Sequence, residues 1–297
     1  MMLRIASSKL EVEILPEVGG KIGQIRDHEV KRALLISPRK PYCTIPLEGD
    51  WLQHDTSGMD DCFPNVAACI YPDAPWNGTP LPDLGEWTHG EWQIAAHSGH
   101  AATLTRTGIA IPYVASKTVR LADERTLELV YCVENQSRSP FRYLWSAHPL
   151  IEVPDAFELF LPSGPIALTT FPPDEKSTTW PHWKSIDLSR EWIPHGTTLK
   201  IFLTGFSEGW CALRLPTHTL HFSFDARELP ALGIWFNNFG FPRNPAQPFR
   251  CIAIEPCTTA SDLLGQPEPV TYPSIAPGAS ARWSLRLQVK PNSSSET

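Results

Sequence analysis

Period-two alternation fills this chain, and prolines cut most stretches in which a helix could grow. Trp283, Leu285, Leu287 and Val289 alternate with Ser284, Arg286, Gln288 and Lys290. Leu127, Leu129, Tyr131 and Val133 alternate with Glu128, Val130 and Cys132, and Leu220, Phe222 and Phe224 with His221, Ser223 and Asp225. This spacing places every second side chain on one face of a strand. Further strands are expected at 10–15, 101–105, 109–121, 141–148, 199–204, 210–215, 232–237 and 250–255. Proline supplies 30 of the 297 residues, roughly twice its usual share. It lacks an N–H donor and clashes with the preceding helical turn. Short helical turns are expected only around 227–232 and 259–264. Many short strands between turn residues predict an all-β fold, a large antiparallel β-sandwich. One domain is expected over residues 1–290, with a disordered tail at 291–297. Two proline- and tryptophan-rich excursions, 41–91 and 162–196, are expected to fold onto the body.

Composition narrows the function classes. A hydrophobic share of 42% with 19% charged residues is enough for a substantial core. The net charge is −7, and Lys and Arg are scattered. A nucleic-acid or anionic-membrane partner would leave a basic patch, so neither is expected. No apolar run reaches the ~18–20 residues that span a bilayer, and the start lacks a secretory pattern. Seven cysteines, an odd number without Cys-x-x-Cys, read as buried free thiols in a reducing compartment. A cytoplasmic location is the expectation. No dinucleotide or phosphate-binding glycine loop is present.

Two strands end in an ionisable residue followed by proline, Ser146-Ala147-His148-Pro149 and Ala253-Ile254-Glu255-Pro256. Proline holds the residue before it in extended geometry, which places His148 and Glu255 on stiff backbone at a sheet rim. A histidine titrates near pH 6.5, and a desolvated carboxylate becomes a competent base. Together they form a proton-transfer pair suited to opening a cyclic hemiacetal. Eleven tryptophans add flat apolar faces with one N–H donor each, which suit a sugar. Thr88-His89-Gly90 presents an imidazole at a turn, because the glycine tolerates positive φ. Asp60 and Asp61 offer paired acceptors for sugar hydroxyls. Trp235 and Asn237, in Gly233-Ile234-Trp235-Phe236-Asn237-Asn238, offer an aromatic wall and an amide. The pairs His97/His100 and His218/His221 point to opposite strand faces and lack a completing ligand, so no metal site is expected.

These segments resemble the aldose 1-epimerase (galactose mutarotase-like) superfamily. Pro16-Glu17-Val18-Gly19-Gly20-Lys21-Ile22 is similar to its opening strand and turn, and Thr88-His89-Gly90 with Trp92 to its His-Gly segment. Ser146 to Leu150 is similar to the strand of its catalytic histidine, and Ile252 to Thr258 to that of its catalytic glutamate. Their order across some 240 residues is the specific signal. The resemblance implies a large antiparallel sandwich with a sugar cleft across one sheet and no metal or organic cofactor. It implies Glu255 as the group taking the anomeric proton, His148 as the donor to the ring oxygen, and His89 as a substrate-binding group. Gly58 to Pro64 stands where galactose mutarotases carry an Asn-Arg segment, and Ser146-Ala147 replaces an asparagine often found before the histidine.

The expected function is a cofactor-independent isomerase interconverting the α and β anomers of a monosaccharide. The alternative is a non-catalytic sugar-binding or sensing protein of the same fold. A third reading, glycosidic cleavage, would pair Glu255 with Asp60 or Asp61.

Overall fold

The computed structural model describes residues 1–49, 55–172, 178–242, 248–267 and 270–292. Two large antiparallel sheets form the body, one of eleven strands and one of eight. The larger runs from Leu3–Ala6 through Leu10–Leu15, Lys21–Asp27, Met59–Cys62, Ser146–Glu152, Arg250–Cys257, Ala231–Asn238, Thr197–Thr204 and Ala167–Phe171 to Thr178–Thr179, with Arg32–Ala33 beside Lys21–Asp27. The smaller includes Trp210–Arg214, His218–Phe224, Ser280–Pro291, Thr126–Asn135, Tyr113–Leu121 and Ala101–Thr107 in neighbouring order.

The alternating apolar residues of both sheets meet in one continuous core. At its centre the Tyr131 and Trp283 rings stack 5.7 Å apart and Trp87 lies 6.1 Å from Tyr131. Trp87, Trp92, Trp145 and Trp283 are all buried, so much of the tryptophan enrichment anchors the core. The three middle strands of the larger sheet are buried on both faces, which requires loops to cover the outer face as well. Segments 64–67 and 258–265 do so in part, with the Val66 and Ala67 N–H groups donating to the Asp262 carbonyl at 3.1 and 2.8 Å.

Several sequence expectations shift. The only helical element among the described residues is a 3-10 turn, Glu86–Thr88; segments 227–232 and 259–264 are turns, bends and a strand start. The strand expected from 109 begins at Tyr113, and that expected over 141–148 divides into Phe141–Arg142 and Ser146–Glu152. The excursion at 41–91 contributes Met59–Cys62 to the middle of the larger sheet. Pro291 closes a strand and the Asn292 amide donates to the Leu215 carbonyl at 2.7 Å. The rest of the expected tail, 293–297, lies outside the described residues. All seven cysteines are free, four of them buried. No helix among the described residues is long and apolar enough to cross a membrane.

Asp61 binds the two sheets together. Its carboxylate accepts from Tyr131 Oη at 2.7 Å and pairs with Lys117 Nζ, both on the smaller sheet. Lys117 also donates to the Gly20 carbonyl at 3.1 Å. Lys117 and Asp61 are almost fully buried, so removing one partner strands a charge in the core. Lys117→Met should cost about 3–5 kcal/mol in urea unfolding, and adding Asp61→Asn should recover part of the loss. Equal stability of Lys117→Met and wild type would show that the pair does not hold the sheets.

Candidate active site

Register alone assembles the site. Met59 opposes Ile22, so Lys21 stands opposite Asp60; Asp60 opposes His148. Ser146 opposes Cys257 and Leu150 opposes Ala253, so His148 faces Glu255. Glu255 opposes Gly233, and Gly233 opposes Phe202. One pleat row therefore crosses six strands as Lys21, Asp60, His148, Glu255, Gly233 and Phe202. Cross-strand partners share a face, and neighbours along a strand point opposite ways. Because Asp61 reaches the smaller sheet, this row looks away from it.

His148 Nε2 lies 3.9 Å from Glu255 Oε1. The other carboxylate oxygen, Oε2, is paired with Lys200 Nζ and accepts from Ser146 Oγ at 3.3 Å. Lys200 also lies 3.5 Å from Asp262 Oδ1, so one ammonium serves two buried carboxylates. Glycine at 233 makes room for this: a Cβ there would stand 3.3 Å from both Lys200 Cε and Glu255 Cβ. Glu255 Oε1 meets no hydrogen-bond donor among the described residues. An acceptor buried this way costs about 1–3 kcal/mol and stays available to a ligand hydroxyl.

Burial dominates the electrostatics. Desolvation, with the Lys200 charge beside it, pushes His148 down to about 3, so the imidazole is neutral at physiological pH. The 3.9 Å contact is therefore not an ion pair. Desolvation raises Glu255 above the ordinary carboxylate range, against the pull of Lys200. Asp262 is raised for the same reason. Burial alone would lower Lys200, but Asp262 and Glu255 outweigh it and hold the ammonium charged.

The Trp235 ring lies 5.9 Å from that of His148 at 27°, with Phe241 and Phe249 edge-on to its far side. Trp235 is half-buried and forms the aromatic wall. At the other end of the row, Lys21 donates to Asp55 at 2.6 and 2.7 Å and lies 3.3 Å from Asp60.

The sequence-derived set divides accordingly. His148, Glu255, Asp60 and Trp235 share the outer face. Asp61 does not: it is turned into the layer between the sheets by Lys117 and Tyr131. Asn237 is fully buried, its amide donating to the Phe241 carbonyl at 2.8 Å and its oxygen accepting from Gly240 and Phe241 N–H. It closes its own turn. His89 is fully buried as well, despite the positive φ of 79° at Gly90. Its Nδ1 faces the Gly85 carbonyl and Thr88 Oγ1, both at 2.9 Å, and Nε2 faces the Gly49 carbonyl at 3.3 Å. Both ring nitrogens thus face groups of the protein, and the one that carries the proton donates to a carbonyl. Lys200 and Asp262 join the cluster without having been singled out from the sequence, and Lys21 and Ser146 without having been given a role there. Lys200 opposes Trp235, lies diagonal to Gly233 and reaches Glu255 over that glycine, a relation that only the register reveals.

No protein-family model and no curated protein matches the sequence. Solved structures match along the whole chain. A galactose mutarotase-like protein from Lactobacillus casei has a TM-score of 0.74 at 18% identity, covering 97% of this chain and 100% of its own. A galactose mutarotase related enzyme from Lactobacillus acidophilus has a TM-score of 0.72 at 13% identity, covering 100% and 99%. An aldose epimerase homologue from C. elegans has a TM-score of 0.69 at 13% identity, covering 98% and 99%. Identities this low speak for the architecture and not for the substrate. The chain has the galactose mutarotase-like β-sandwich fold.

Proposed function

We propose that the protein is a cofactor-independent aldose 1-epimerase-like isomerase, with His148 and Glu255 exchanging one proton through a bound sugar. The observation that carries this reading is the facing pair itself, 3.9 Å apart on the outer row beside Trp235. Ring opening takes a proton from the anomeric hydroxyl and gives one to the ring oxygen, while the C1–O5 bond breaks and C1=O1 forms. Closure on the other face of the aldehyde reverses both transfers.

The proton count fixes how the pair must behave. With the sugar cyclic, Glu255 is carboxylate and His148 imidazolium. Glu255 then takes the O1 proton, and His148 gives its proton to O5. The open-chain aldehyde is accompanied by neutral His148 and protonated Glu255. Desolvation lowers His148 to about 3 and raises Glu255, so burial favours the neutral pair that belongs to the aldehyde state. Lys200 acts on both members: it stabilises the carboxylate and disfavours the imidazolium. A reversible two-way proton transfer needs both forms to be reached once a sugar is bound.

One feature favours a second reading, a sugar-binding protein without turnover. Glu255 is fully buried and already held by Lys200, so the clamp could leave it unable to take a proton. Nothing comparable favours glycosidic cleavage: Asp61 faces the other sheet, and Asp60 is paired with Lys21.

Anomer exchange across a panel of aldoses, followed by NMR saturation transfer, tests the first reading. Glu255→Gln should lower the rate by roughly 10²–10⁴-fold while sugar binding, read by tryptophan fluorescence, persists. Binding of a sugar with exchange at the uncatalysed rate in the wild type would establish the second reading instead. Lys200→Met gives an independent check through the pH profile. Removing the ammonium takes away what lowers the Glu255 pKa, so the limb belonging to Glu255 should move to higher pH. An unmoved limb would show that Lys200 does not tune the carboxylate.

A further inference from the structure

A cavity of about 660 Å³ opens at the rim of the sandwich, where the strand Ser146–Glu152 ends. It lies between the 31–36 segment beside the larger sheet and the 215–218 turn of the smaller. Glu152 is four residues beyond His148 on the same strand, about 13 Å along it, and His148 does not line the cavity. The rim cavity is thus separate from the acid–base pair.

Its lining is cationic in a chain whose net charge is −7. Lys31, Arg32, Arg39 and Arg250 stand against one acid, Glu152. Arg250 is paired with exposed Asp155, and nearby Asp27 is held by Arg125 at 2.8 Å. Two lining nitrogens are buried and meet no partner among the described residues, Arg39 Nη1 and His218 Nε2. The Arg39 guanidinium lies 4.3 Å above the Phe249 ring, which fixes its plane. Desolvation lowers Arg39 below the ordinary arginine value despite the attraction of Glu152. His218 is 4% exposed, and its Nδ1 lies 2.9 Å from Thr217 Oγ1. With Nδ1 accepting that hydroxyl, Nε2 carries the proton and is a donor lacking an acceptor. Leaving such groups unmade is costly, and an anion would satisfy both while neutralising the excess charge.

We propose that this cavity binds a phosphate-class oxyanion, with the Arg39 guanidinium and His218 Nε2–H as its buried donors. Inorganic phosphate and a phosphate ester share the chemistry involved, and the volume leaves room beside the oxyanion for an organic group.

The test is calorimetric titration of the full chain with inorganic phosphate at constant ionic strength set by chloride. Saturable binding at one site is expected. Arg39→Gln and His218→Gln should each weaken it by roughly tenfold or more, the loss of one charge-assisted or buried hydrogen bond. Glu255→Gln should bind phosphate as the wild type does, whatever its effect on anomer exchange. A hexose 6-phosphate arm separates the sources: tighter binding than phosphate identifies an ester ligand, and equal binding a free anion. Should Arg39→Gln fail to fold by circular dichroism, the decision passes to His218→Gln. Non-saturable heats in the wild type, or unchanged affinity in the folded variants, would overturn the proposal.

Discussion

Two adjacent aspartates in a buried strand make an electrostatic demand that the surrounding structure answers. Met59–Cys62 lies in the middle of the larger sheet with all four residues buried, and Asp60 and Asp61 necessarily face opposite ways. Each therefore needs its own cation. Lys21, one strand away, serves Asp60 on the outer face, and Lys117, from the opposite sheet, serves Asp61 between the layers. Buried pairs of this kind contribute little net stability compared with apolar packing, yet breaking one is expensive. That asymmetry suits a register lock. A one-residue slip of the strand would send Asp61 outward and Asp60 inward, and neither lysine could follow.

The facing of His148 and Glu255 depends on that lock. His148 occupies its place because its strand pairs on one side with Met59–Cys62 and on the other with Arg250–Cys257. Both catalytic candidates are followed by proline, which cannot donate to the ladder and holds the preceding residue extended. Across the next strand the row meets Gly233, where the absence of a side chain leaves the space through which Lys200 reaches Glu255. The geometry of the cluster thus follows from sheet register, two prolines and one glycine, and no flexible loop is needed to bring His148 and Glu255 together.

Much of this was legible from the chain alone. Alternation around Leu127, Leu220 and Trp283 located strands of the smaller sheet, and the His-Pro and Glu-Pro endings located the facing pair. What sequence could not supply was pairing. Met59-Asp60-Asp61-Cys62 carries no apolar alternation, because its two acids are neutralised by partners 39 and 56 positions away. Nothing local distinguishes it from a loop. The same blindness assigned both aspartates to one role when the pleat separates them. His89 and Asn237 misled for a different reason: a glycine nearby and a polar strand end look like display, while their side chains close turns from within. Lys200 stands among Leu199, Ile201, Phe202 and Leu203 in the strand Thr197–Thr204, where a lone lysine signals little until the strand order brings Glu255 within its reach.

On the proposed reading, burial in the cluster serves proton transfer at the expense of stability. Two carboxylates, Glu255 and Asp262, share one ammonium, and both are pushed toward the protonated form by desolvation. A third charge on His148 is strongly disfavoured. Such a group of residues is not at an electrostatic optimum, and Glu255 Oε1 is left without a donor. A sugar would change both conditions at once, since its hydroxyls can donate to Oε1 while its ring oxygen offers His148 an acceptor for a proton. Binding would then relieve the unsatisfied oxygen and shift the proton between partners in a single event. The electrostatics of the cluster are in this sense complementary to the proposed ligand chemistry, and the rigid sheet around it holds the cluster in that arrangement.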